Sequence, residues 1–173
     1  MNKGWIPGIF AIVAAMMLQS CTDWRALYAS DNEYRSVVAT ELSNITIPEP
    51  KTRIEQLIRN NLISTMSPPG QEGDGRYQLI LQPAASDQNL VIQRNTDIAR
   101  RSFRLRVVFL LHDGQTGKRI YSGNTFSEVS YDKISSEFSN MNAKINAEER
   151  AAREVSEDIR TRLAAFFATR QTS

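Results

Sequence analysis

At 173 residues and 41% hydrophobic content, the chain is long enough for one domain with a real hydrophobic core. Its formal charge of +2 makes overall charge uninformative, so a charged partner has to be met by local clustering. One cysteine excludes an internal disulfide, and one histidine excludes a histidine-rich metal site and leaves a Ser-His-Asp triad without partners to spare.

The first predicted element is an apolar run from about Trp5 to Leu18 that falls through Gln19 and Ser20 to Cys21. A transmembrane helix needs roughly 20 apolar residues, and this run is shorter and ends abruptly. With Lys3 and the amino terminus as a weak positive region, it reads as a secretion signal over residues 1–20. The order Leu18-Gln19-Ser20-Cys21 resembles the lipobox of bacterial lipoproteins. That resemblance implies a diacylglycerol on the Cys21 thiol, cleavage just before it and an N-acyl chain on the new amino terminus. Only cysteine offers so alkylatable a thiolate, and several acyl chains anchor where one does not. Beyond that covalent lipid no cofactor is expected. Thr22 stands where the inner-membrane retention signal of some lipoproteins has aspartate, which permits an outer-membrane destination. Cleavage leaves 173 − 20 = 153 residues and, with Lys3 gone, a formal charge of +1.

Residues 21–42, including "TDWRALYASDNEYRS", mix aromatic and polar side chains without a clear period and read as a lipidated tether. The domain is expected over 43–169, with a tail at 170–173. "SNITIPEP" alternates at Ile45 and Ile47 before Pro48 and Pro50, predicting a short edge strand. From Lys51 the period becomes helical. Ile54, Leu57, Ile58, Leu62 and Met66 share a face, Thr52 and Glu55 form a capping box, and Pro68, Pro69 and Gly70 end the helix.

"RYQLILQP" predicts a strand with Tyr77, Leu79 and Leu81 on its drier side, followed by a polar stretch from Ala84 to Asn89. "LVIQRNTDIARR" reads either as a strand of its own or as the early half of a long one bent near Thr96. Phe103, Leu105, Val107, Phe109 and Leu111 alternate with Arg104 and Arg106, "HDGQTGK" is a hairpin loop, and a return strand runs from about Lys118 to Tyr131. Last comes a helix reaching about Ala168. Ile134, Phe138, Met141, Ile145, Ala152, Val155, Ile159, Leu163 and Phe166 form the stripe expected to pack on the sheet.

The order strand-helix-strands-helix predicts an α+β two-layer sandwich: a mainly antiparallel sheet of about four strands with two helices on one face. The other face would carry Arg104, Arg106, Gln78 and Gln82 with Ile80, Val108 and Leu110, a mixed surface that invites a partner. No catalytic constellation is visible. His112 caps a strand end, and the carboxylates Glu148, Glu149, Glu154, Glu157 and Asp158 lie among arginines at ion-pair spacing on the last helix. A non-enzymatic protein is expected.

Basic density is the remaining signal. Arg94, Arg100, Arg101, Arg104 and Arg106 crowd one segment, with Lys118 and Arg119 across the hairpin. Behind a secretion signal, nucleic acid is not the expected partner; lipopolysaccharide, whose phosphates suit arginine forks, is. These seven residues are the candidate lipopolysaccharide-binding set.

From the signal to Phe167 the chain resembles the LptE family of lipopolysaccharide-assembly lipoproteins in its alphaproteobacterial form. The resemblance rests on the order and spacing of "CTDWRALY", "TRIEQLIRNNL", "RYQLIL", "FLLHDGQTGKRIYSG", "VSYD" and "NAEERAAREVSEDIRTRLAAF". The family opening is similar to Cys-Gly-Phe-Arg-Pro-Leu-Tyr; here Thr22, Asp23 and Trp24 replace Gly-Phe and Ala26 stands for Pro. The resemblance implies an outer-membrane lipoprotein on the periplasmic side that plugs and helps assemble the LptD β-barrel and assists lipopolysaccharide insertion into the outer leaflet. A lipid-tethered periplasmic scaffold or solute-binding module would share the same signal and fold.

Overall fold

Thr52 caps the helix that follows it, as its capping box predicts. Its side chain accepts from the Glu55 N–H at 3.2 Å, and the Glu55 carboxylate accepts from the Lys51 N–H at 2.6 Å. The computed structural model describes residues 36–67, 74–92 and 99–170, with backbone alone at 89–92 and 99. The signal, Cys21 and most of the tether lie outside the described residues, as do Arg94 and Thr96. The chain divides into two units, Met1–Val37 and Val38–Ser173, and the architecture below is that of the second.

The elements are a helix over residues 36–43 (α1), β1 (Ile45–Thr46), α2 (Arg53–Met66), β2 (Tyr77–Ile92), β3 (Ala99–Asp113), β4 (Arg119–Lys133) and α3 (Glu137–Arg170). The folded unit starts earlier than Ser43. Leu42 is buried in the core and Val38 packs against it, so the end of the expected tether is structural. The strands form one sheet in the order β1-β2-β3-β4, with β1 parallel to β2 and the rest antiparallel.

The polar stretch from Ala84 is strand, not loop. Ala84 to Gln88 pair with Arg106 to Ser102, and the described parts of "LVIQRNTDIARR" fall on two antiparallel strands, with Val91 of β2 opposite Arg100 of β3. The helix-facing position here is filled by Asp87, whose carboxylate meets the Tyr131 hydroxyl and Lys144 of α3, so a polar side chain stands where an apolar one would reveal the strand. Pro83 is accommodated by alternation. The Tyr77 N–H bonds to the Asn44 carbonyl at 3.2 Å, so odd residues of β2 direct their backbone groups to the β1 side. The N–H that Pro83 lacks would therefore point away from β3.

The helix-facing side of the sheet supplies Leu79, Phe103, Leu105, Val107, Phe109, Leu111 and Val129 to the core, closed by Ile58 and Leu62 of α2 and Val155, Ile159 and Leu163 of α3. Ala147, Ala151 and Ala152 let α3 approach closely. The apolar stripe expected on α3 is rotated at its start. Phe138 and Met141 are 72% and 55% exposed, Ile134 precedes the helix, and Phe167 rather than Phe166 is the fully buried partner. Asn140 is the cause. Its side chain accepts from the Ile134 N–H and donates to the Ile134 carbonyl, both at 2.8 Å, which turns position 140 inward and its neighbours out.

Candidate functional site

Helices α2 and α3 pack on one side of the sheet, and no described residues cover the other, so the side chains of even-numbered positions in β2 and β3 lie on an open face. The register lines them in rows across β2, β3 and β4: Ile80-Leu110-Ser122, Gln82-Val108-Asn124, Ala84-Arg106-Phe126 and Ser86-Arg104-Glu128. The half-buried Ile80, Val108 and Leu110 form an apolar band, and Phe126 stands out from it at 65% exposure. Arg104 and Arg106 border the band about 7 Å apart, two residues along one strand. The mixed face expected from the alternation is present.

The seven candidate cations do not form one cluster. Arg100, Arg104 and Arg106 share the open face, while Arg101 lies on the helix-facing side. Lys118 and Arg119 sit at the other end of β3, about 40 Å from Arg100 by strand rise; Arg94 is outside the described residues. Most of the described arginines in the run are engaged. Arg100 Nε meets Asp132 Oδ1 at 3.1 Å, Arg101 Nη1 meets Asp87 Oδ2 at 3.6 Å, and Arg104 meets Glu128 Oε2 through Nε at 3.1 Å and Nη2 at 2.6 Å. Arg106 is exposed and has no ion pair among the described residues.

These acidic partners lie far along the chain, so the arginine run alone gave no sign of them. Glu128 also accepts from the Ser102 hydroxyl at 2.7 Å, and that bond, followed by Arg104, holds its carboxyl below the usual range. On the opposite side, Asp87 accepts from the Tyr131 hydroxyl at 2.7 Å and also faces Lys144 at 3.7 Å. Burial first, then Asp87, pushes the Tyr131 phenol up. The carboxylates of α3 are less uniform than ion-pair spacing predicts. Arg162 and Asp158 pair at 2.7 Å within the helix, but Glu148 and Glu149 face Arg53 of α2 at 3.9 and 3.7 Å, and Glu154 accepts from Ser127.

The hairpin between β3 and β4 is built around Asp113, whose Oδ1 accepts from the N–H groups of Gln115 and Thr116 at 3.1 and 2.7 Å and from the Thr116 hydroxyl at 2.9 Å. Those bonds, led by Thr116, lower the Asp113 carboxyl. Gly117 closes the turn at φ +67°. His112 pairs with Gln78 and Arg119 at this end, and its Nδ1 is buried with no hydrogen-bond partner among the described residues. Among the described residues no group of three or more His, Cys, Asp or Glu side chains could hold a metal, and no helix is long and apolar enough to cross a membrane.

The described residues form an α+β sandwich with one of its two sheet faces uncovered among them. Bacterial lipoproteins carry this fold. A protein of Caulobacter crescentus CB15 classed as a lipoprotein is similar at TM-score 0.64 and 25% identity, covering 78% of this chain and 98% of its own. The minor lipoprotein of Acinetobacter baumannii has TM-score 0.51 and 16% identity, covering 70% of this chain and 88% of its own. The uncharacterized lipoprotein B of Nitrosomonas europaea has TM-score 0.50 and 12% identity, covering 72% of this chain and 82% of its own. No family model and no curated protein sequence matches the chain.

Proposed function

We propose that this chain is a lipoprotein of the outer membrane, acylated at Cys21 and facing the periplasm, that plugs an LptD-type β-barrel and assists its assembly and the insertion of lipopolysaccharide. The observation that carries the reading is the open sheet face: an apolar band of Ile80, Val108, Leu110 and Phe126 bordered by arginines, with no layer formed by the described residues on it. Such a face is chemically suited to the mixed wall of a barrel lumen. The lipoprotein fold and the LptE-like motifs support the same reading.

In this mechanism the lipid anchor holds the domain at the inner leaflet while the open face meets the barrel. Arg106, exposed and without an ion-pair partner among the described residues, provides the charge for a lipid phosphate. Arg104 contributes only as far as Glu128 releases it. The test is affinity purification of the full-length acylated chain from detergent-solubilised outer membrane, read by mass spectrometry. A one-to-one complex with a large β-barrel supports the plug. Recovery of the acylated chain alone overturns it in favour of a tethered scaffold.

A further inference from the structure

The second open feature of the sheet is an edge. β1 pairs with β2 only through Ile45↔Tyr77 and Thr46↔Gln78. The next donor this parallel register requires is the N–H of residue 48, which is proline. The chain leaves the sheet there, and beyond this point no described strand pairs on the outer edge of β2. Alternation directs the Leu79 carbonyl, both backbone groups of Leu81, the Pro83 carbonyl and both groups of Ala85 outward.

A cleft of about 270 Å³ lies against that edge. Ile47, Pro48, Pro50, Ile80 and Leu81 give it apolar walls. Arg59 of α2 stands at its side, with Nε donating to the Ile47 carbonyl at 3.2 Å, which leaves both terminal nitrogens for another acceptor. Neither Arg59 nor Lys51, which also lines the cleft, has an ion-pair partner among the described residues. Two carboxylates line it too. Glu55 is held by the Lys51 N–H at 2.6 Å, and Glu49 is exposed.

We propose that the β2 edge from Leu79 to Ala85, together with this cleft, is a strand-addition site. Its occupant is an extended peptide segment of a partner protein that places an aliphatic side chain in the cleft and an acidic one beside Arg59 and Lys51. Main-chain bonds to a strand edge supply affinity, and a pocket for alternate side chains supplies selectivity. The two terminal nitrogens of Arg59, left over from its bond to the Ile47 carbonyl, make an acidic side chain complementary at that one position, since Glu49 and Glu55 balance the cations over the cleft as a whole. This site lies on the edge, apart from the open face, and stands whether or not that face meets a barrel.

The experiment uses the full-length chain in detergent and a labelled heptapeptide of alternating valine and threonine with a central glutamate. Controls are its glutamine counterpart and a twin methylated at alternate peptide nitrogens. Saturable binding of the glutamate peptide, slowed amide exchange at Leu81 and Ala85, and no binding of the methylated twin are expected. Pro83→Ala restores an outward N–H and strengthens binding by about threefold, the effect of one net hydrogen bond. Arg59→Gln removes the preference for glutamate over glutamine; Lys51→Gln, at an exposed position, reduces that preference if Arg59→Gln disturbs the loop at Ile47. Equal binding of the methylated twin, no saturable binding of the glutamate peptide, or an affinity unchanged by Pro83→Ala overturns the proposal.

Discussion

Arg104 and Glu128 stand opposite each other on β3 and β4, with two guanidinium N–H groups on one carboxylate oxygen while Ser102 donates to the other. The pair ties up most of the charge that Arg104 presents to the open face. Under the proposed function, Glu128→Gln is expected to tighten lipopolysaccharide binding severalfold, and Arg106→Glu to weaken it by about tenfold. Titration of the purified chain with labelled lipopolysaccharide checks both; an unchanged affinity in Arg106→Glu removes that arginine from the site.

Four titrating groups bound the pH range of full stability. Glu128 and Asp113 have carboxyls held below their ordinary values of 4.5 and 3.8. A depressed acid stabilises the fold above its ordinary value, and that contribution is lost as pH falls through the folded one. Tyr77 and Tyr131 are raised above 10.0, in both cases by burial first, so they favour the fold fully below that value and lose the contribution as pH rises above it and through the higher folded one. Melting temperature should stay level between about pH 5 and 9 and fall on both sides. In calorimetry, Asp113→Asn with Glu128→Gln should flatten the acid limb alone.

Gly114 and Gly117 are both glycines of the hairpin, but different constraints hold them. A Cβ on Gly114 would collide with the Gly75 carbonyl, while one on Gly117 meets nothing within 4 Å and is opposed only by φ +67°. Gly117→Ala should therefore cost about 1 kcal/mol. Gly114→Ala should cost more, about 2 to 3 kcal/mol, because backbone has to move. Urea unfolding of the two variants at matched m-value ranks them.

Leu163 and Phe138 belong to the same stripe in sequence and to opposite environments in the fold, 0% and 72% exposed. Leu163→Ala is expected to cost about 3 kcal/mol and Phe138→Ala less than about 0.5 kcal/mol. Equal costs in chemical denaturation would mean that the start of α3 packs inward.

Local signals were legible where they were decisive. The capping box at Thr52, the glycine hairpin after His112 and the alternating row from Phe103 to Leu111 each fall where their chemistry predicts. The outer half of β2 was hidden because its helix-facing position is the polar Asp87, held by Tyr131 and Lys144, so it carries no alternation to read. The rotation of α3 depends on one side-chain amide, Asn140, meeting a backbone six positions back, which no apolar period encodes. The arginine run was legible as composition but not as charge, since Asp132, Asp87 and Glu128 reach it only through strand register. Leu42 was read with the tether because the aromatic and polar residues before it obscure its place in the core.

The brevity of β1 shapes the order in which the molecule can assemble. β2, β3, β4 and α3 are neighbours in sequence and can close by short connections, whereas β1 joins β2 across α2, and α2 rests on the last helix through contacts such as Ile58 with Ser156, 98 positions apart. Contacts of such separation are slow to form. A chain delivered amino terminus first thus carries the buried face of α2, with Ile58, Leu62 and Met66, uncovered until its final helix has arrived.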